Sequence, residues 1–166
     1  MFSGEAVPST SWPTPEAPGT IQSNPAKSFD TGSVTLAAAS ALIQAALKAA
    51  KEAGFEAAVA ITDATGSLRA FERTDGTPFL AADVAISKAW TAASYGYPTH
   101  VWNQYVQDPA VAPLAYHPRL MAVGGGYPLL DRGKLVGGIG VSGGDAAQDQ
   151  SVCESALKAL GFELPA

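Results

Sequence analysis

The last third of the chain, GGGYPLLDRGKLVGGIGVSGGDAAQDQSVCESAL from Gly124 to Leu157, limits the fold more than any other stretch. It reads as a glycine loop, a strand, a tight turn at Asp131-Arg132-Gly133-Lys134, an apolar strand, a second glycine loop and a capped helix. Glycine in or beside a strand loses side-chain packing and costs chain entropy. So many of them imply that the backbone comes close to something else, either a ligand or a neighbouring subunit.

The elements upstream complete an architecture. Thr35 is a plausible N-cap, and Leu36, Ile43, Leu47 and Ala50 follow helical spacing before Gly54 stops the helix. Ala57 to Thr62 reads as a buried strand, Asp63-Ala64-Thr65-Gly66 as a turn, and Ser67 to Arg73 as the second strand of a hairpin. Thr77-Pro78 opens a helix that runs to about Tyr95 and stops at Gly96. A short helix from about His100 to Gln107, capped by Thr99, precedes a proline-punctuated loop from Asp108 to Pro118. Arg119 to Val123 reads as a short strand, and Tyr127 to Leu130 pairs with Leu135 to Val141. Asp145 caps the last helix with Gln148 as its capping-box partner, and Val152, Ala156 and Leu160 form the apolar stripe. Two hairpins cannot be built from parallel crossovers. The expected fold is therefore α+β, a five-stranded antiparallel sheet flanked by helices.

This domain occupies residues 34–166. Residues 1–33 differ in composition, with Pro8, Pro13, Pro15, Pro18 and Pro25 among Ser, Thr and Gly. They form either a disordered tail or an arm that lays Trp12 and Phe29 on its own or a neighbouring subunit. With 47% apolar and only 15% charged residues, the surface is poor in charge, which points to burial between subunits of a homo-oligomer. A net charge of −5 without a Lys/Arg cluster argues against nucleic acid and anionic membranes as partners. One cysteine, Cys153, precludes an intrachain disulfide and reads as a buried structural thiol. No basic start with an apolar core marks a signal peptide, and no purely apolar run reaches about 18 residues, so a cytoplasmic protein is expected.

Two catalytic-looking patterns fail on context. Gly138-Ile139-Gly140-Val141-Ser142-Gly143 matches the dinucleotide fingerprint GxGxxG, but only one helix follows and no second strand carries the acidic residue that mechanism needs. Gly140-Val141-Ser142-Gly143-Gly144 matches GxSxG, yet both histidines precede Ser142, and a nucleophile elbow needs its histidine after the serine. Gly133-Lys134 lacks the earlier glycine of a phosphate loop.

Less formal groupings carry more. Val84, Lys88, Thr91 and Tyr95 share one helical face. Lys88 either snorkels, or holds a ligand carboxylate, or acts as an acid or base. His100 and His117 are the only histidines and make a poor zinc signature, so no metal site is expected. Either is a candidate axial haem ligand, as are Met121 and Tyr116, and without a C-x-x-C-H sequence any haem is non-covalent. His117-Pro118-Arg119, close to Gly124-Gly125-Gly126, suggests an anion site. Asp149 and Glu154 read as a solvated helix face.

The residues now support a resemblance. From about Thr35 to Leu160 the chain resembles the GlcG/HbpS family of haem-degrading or haem-binding domains and is similar to the C-terminal domain of PduO-type proteins. The matching segments are Thr35 to Ala50, Val59-Ala60-Ile61-Thr62-Asp63-Ala64-Thr65-Gly66, Lys88-Ala89-Trp90-Thr91-Ala92, Gly124-Gly125-Gly126-Tyr127-Pro128 and Gly138 to Gly143 with Asp149. The resemblance implies a profilin-like domain that forms homo-oligomers, and it makes Thr91 and its neighbours candidates for a haem-contacting face. The residues themselves, and not the family, add Tyr95, His100, His117 and Gly124, Gly125 and Gly126 to the candidate cofactor set. The segment from His100 to Arg119 is individual to this chain. Three functions follow as expectations: haem binding or handling; a cofactor-independent isomerase, tautomerase or lyase in small-molecule catabolism; or a non-catalytic accessory protein. In the second, Lys88 or Arg119 holds a substrate carboxylate and His117 or Tyr116 carries the proton.

Overall fold

The computed structural model describes residues 24–165. Trp12 and Ile21 of the proline-rich segment lie outside the described residues, and Phe29 is exposed. Thr31 onward forms one compact unit, and the fold is that of this unit.

Helix α1 spans Leu36–Glu52. Thr35 is extended and its Oγ1 accepts the Ala38 N–H at 3.1 Å, so the cap forms as the sequence dictates. The buried face is Ala39, Leu42, Ile43, Ala46 and Ala50, whereas Leu36, in the first turn, points outward. Strands β1 (Ala58–Asp63) and β2 (Leu68–Arg73) form the first hairpin. Asp63 Oδ1 holds its turn by accepting from the backbone and hydroxyl of Thr65 and from the Ser67 N–H. Helix α2 runs Phe79–Tyr95 and ends on Gly96 in the left-handed conformation. Its N-cap is Pro78 rather than Thr77, whose hydroxyl instead pairs with that of Thr74 at 2.8 Å.

Helix α3 (Thr99–Tyr105) contains Thr99 instead of being capped by it, because the Thr99 hydroxyl takes the Gly126 N–H at 2.8 Å. A 3₁₀ turn, Ala112–Tyr116, follows. Strands β3 (Gly126–Asp131) and β4 (Lys134–Ser142) form the second hairpin. Helix α4 (Ala146–Ala159) starts at the expected capping box, with Asp145 and Gln148 exchanging bonds of 2.8 and 2.9 Å. Leu160 is its C-cap, and its buried stripe is Asp149, Val152, Cys153, Ala156 and Leu157.

The sheet has four strands in the order β2-β1-β4-β3, all antiparallel. The fifth strand expected at Arg119–Val123 is absent. Its backbone is tied to side chains instead, with the Arg119 carbonyl and Met121 N–H bonded to Thr91 and the Ala122 carbonyl to Asn103.

The two faces of the sheet are filled differently. Val59, Ile61, Leu129, Ile139 and Val141 pack with α1 and α4 into the main core. On the opposite face Ala58 and Ala60 meet Ala81, Ala85 and Ala89 of α2. A Cβ on Gly138 would run into the Ala89 carbonyl, and one on Gly140 into that of Ala85. These glycines therefore bring the protein's own helix onto the sheet, which corrects the expectation of a ligand or a subunit at those positions.

Candidate functional site

The residues singled out by the sequence fall into three groups. In the first, Lys88 is only 1% exposed. Its Nζ donates to Asp149 Oδ2 at 2.8 Å and to the Val141 carbonyl at 2.9 Å. Asp149 Oδ1 accepts the Gly144 N–H at 2.9 Å. Burial pushes the Asp149 carboxyl above its ordinary value, against the pull of Lys88 and the Gly144 amide. Lys88 thus does not snorkel but is paired inside the protein, and Asp149 is not on a solvated face. The pair ties α2 to α4 and to the end of β4.

The triple glycine folds over this pair. Gly124, Gly125 and Gly126 are buried, and Gly125 has φ +113°. A Cβ on Gly125 would come within 2.6 Å of Asp149 Cβ and 2.8 Å of Lys88 Nζ, and one on Gly126 within 2.6 Å of Thr99 Cγ2. The chain itself occupies the space these glycines leave, so they form no open cradle. Cys153, buried as expected, donates to the Gly125 carbonyl at 3.1 Å, and burial pushes its thiol far up.

The second group centres on Trp90. The His117 ring stacks on the indole, with centroids 5.4 Å apart and planes 10° from parallel. The Arg119 guanidinium lies 4.6 Å from the same ring centroid. Thr91, fully buried, donates to the Arg119 carbonyl at 3.2 Å and accepts the Met121 N–H at 2.9 Å. Its hydroxyl thereby pins this segment to α2. Tyr116 is 89% exposed next to His117. On the turn side of Trp90 a cavity of 260 Å³ is lined by Ala64, Thr65, Gly66, Ala93, Ser94 and Leu135 as well as the indole.

The third group surrounds His100. Its ring packs against Tyr127 with centroids 5.8 Å apart. The Tyr127 hydroxyl donates to Glu154 Oε1 at 2.6 Å, and Gln150 Nε2 donates to the same oxygen at 3.1 Å. The Tyr127 bond, helped by the Gln150 bond and the charge of Lys158, holds the Glu154 carboxyl below its ordinary value. His100 Nδ1 is buried and has no hydrogen-bond partner among the described residues. Tyr95 is 69% exposed and meets Trp102 edge-on.

His117 and Arg119 thus come together, while Lys88 and His100 each belong elsewhere. Sequence reasoning missed Trp90 as the platform and Asp149 as the partner of Lys88. The first carried a usable signal, a large aromatic one position from Thr91 on an otherwise alanine-rich helix. The second pairing, 61 residues apart in sequence, left none.

Comparison with known proteins places the chain in a family. The family model described as haem degrading protein HbpS-like matches residues 34–158, and the chain belongs to that family. An uncharacterized 15.0 kDa protein of Citrobacter freundii, from the dhaT-dhaS intergenic region, is 33% identical over 134 residues, covering 79% of this chain and 94% of the relative. ORFY of Klebsiella pneumoniae superposes with a TM-score of 0.79 at 30% identity, covering 84% of this chain and 98% of its own. A PduOC:heme complex superposes with a TM-score of 0.73 at 27% identity, covering 79% and 97%. The expected α+β, GlcG/HbpS-like fold is therefore established, with four strands rather than five. Haem handling is a property found in this family.

Proposed function

We propose that this chain binds haem non-covalently at an open site, with His100 ligating the iron. The observation that carries the choice of ligand is the unpartnered Nδ1 of His100. An imidazole that binds a metal through Nε2 must hold its proton on Nδ1. Nothing among the described residues opposes a proton at that atom of His100. His117 differs, because its Nδ1 already accepts the Arg119 N–H at 3.2 Å, which places the proton of the neutral ring on Nε2. Ligation by His117 would break that bond.

Around His100, Tyr127 supports the ring, and the Tyr127 hydroxyl is in turn held by Glu154. Exposed Tyr95 offers an aromatic surface near the same end of α2. A bound haem would supply an iron centre for redox chemistry. Support for haem itself comes from the family and from the PduOC:heme relative.

Titration of the full chain with hemin, followed at the Soret band, tests this reading. The expected result is a saturable endpoint of one haem per chain that collapses in His100→Ala and survives in His117→Ala. A shallow, variant-insensitive rise would sink haem binding, and collapse in His117→Ala alone would sink the ligand assignment. Self-association belongs to the same reading, supported by Phe79 at 82% and Leu80 at 65% exposure on the start of α2.

A further inference from the structure

His117 and Arg119 are both laid against one indole, and the geometry points to a binding site for a carboxylate carried by a planar aromatic or conjugated ligand. This goes beyond haem binding and does not depend on it. Two donors lie against the same ring. Arg119 is exposed and has no carboxylate partner among the described residues. A guanidinium stacked on an aromatic face keeps its planar donor fork, which matches the two oxygens of a carboxylate. The second donor is His117. With Nδ1 accepting from Arg119 N–H, the neutral ring carries its proton on Nε2 and presents a donor there.

The site is also held in place. Thr91 bonds the backbone on both sides of Leu120, and Pro118 fixes the link between the two donors. Behind the indole, Gly66 sits at φ +83°, where a Cβ would come within 2.7 Å of Trp90 Cδ1. The ring thus packs against the first hairpin turn as well as the two donors. The imidazole lies nearly parallel to the indole and His117 is exposed, so its outer face can continue the stack. That favours a flat ligand. In a chain of net charge −5, a free guanidinium on an aromatic platform is a local exception to the prevailing field.

Benzoate is the probe, measured on the full chain by calorimetry or amide chemical shifts against neutral benzamide, non-planar cyclohexanecarboxylate and inorganic phosphate. The expected result is saturable benzoate binding, with each comparison ligand weaker by about tenfold or more. Arg119→Gln removes the preference for benzoate over benzamide, Arg119→Lys restores part of it, and Trp90→Leu removes the preference for the planar acid. Equal binding of benzoate and benzamide overturns the site, as does phosphate binding as tightly as benzoate, benzoate binding unchanged in Arg119→Gln, or no saturation by about 10 mM, where even a weak specific site would fill.

Competition assigns the source of the carboxylate. Displacement of benzoate by hemin but not by its dimethyl ester identifies a haem propionate as the ligand. Displacement by neither identifies a free small acid. Displacement by both alike would mean stacking without carboxylate recognition and would also overturn the proposal. Failure of haem binding is read separately, from the Soret endpoint and His100→Ala.

Discussion

Lys88 and Asp149 show how far a single side chain can be from its apparent role. A lysine on a face with Val84, Thr91 and Tyr95 resembles a ligand-facing cation, yet burial with its counter-ion makes it an internal tie. Removing one partner leaves an uncompensated buried charge, while neutralising both does not. Lys88→Met is expected to cost about 3–5 kcal/mol in urea unfolding, and adding Asp149→Asn should recover at least half of that. A double variant as unstable as the single one would contradict the assignment. Glu154 gives a pH-dependent counterpart. Its carboxyl is held below the ordinary 4.5, chiefly by the Tyr127 hydroxyl, so the stability it contributes is present above that value. This stability is lost as pH falls through the lower folded-state value. From about pH 6 to about pH 3 the wild type should lose more stability than Glu154→Gln. Equal losses would show that the bond to Tyr127 does not favour the ionised form.

At the scale of elements, small residues decide the arrangement. Alanines on α2 meet Gly138 and Gly140 on β4, so helix and sheet approach with no side chain between them. Gly140→Ala drives a methyl into the Ala85 carbonyl and should cost about 3 kcal/mol. Gly54→Ala is the control, since nothing lies within 4 Å of its Cβ position and only the φ of +85° is strained. It should cost about 1–2 kcal/mol. A smaller loss for Gly140→Ala than for the control would contradict the close-approach account. The capping box at Asp145, the stop at Gly96, the Thr35 cap and both hairpins were legible because each depends on residues close in sequence. The segment from Arg119 to Val123 was not. Its run of four apolar residues, Leu120 to Val123, resembles a short buried strand, but its hydrogen-bond partners are the side chains of Thr91 and Asn103, 30 and 19 residues away. Such long-range side-chain anchoring leaves no periodic mark in sequence. His117 and Arg119, two residues apart, could be selected as a pair, whereas Trp90 beneath them offered only its place beside Thr91 on an alanine-rich helix.

At the scale of the whole molecule, three side-chain groups share one α+β framework with separate duties. The Lys88–Asp149 tie fixes α2, α4 and the glycine loop, and the Trp90 platform carries two donors on one side of α2. The His100 group faces α4. Large apolar residues left exposed on α2 lead to an expected assembly larger than the 16.9 kDa chain in sedimentation velocity. A single monomeric boundary across micromolar concentrations would contradict it, and Phe79→Ser with Leu80→Ser should shift the assembly towards monomer. The most direct test of the functional account is chemical rescue of the ligand. Hemin is added to His100→Gly, and the Soret band and the spin state of the iron are recorded with and without free imidazole. The account predicts that the wild-type Soret spectrum is lost in His100→Gly and restored by imidazole, with His117→Gly behaving as wild type. A wild-type spectrum in His100→Gly without imidazole would show that another residue holds the iron.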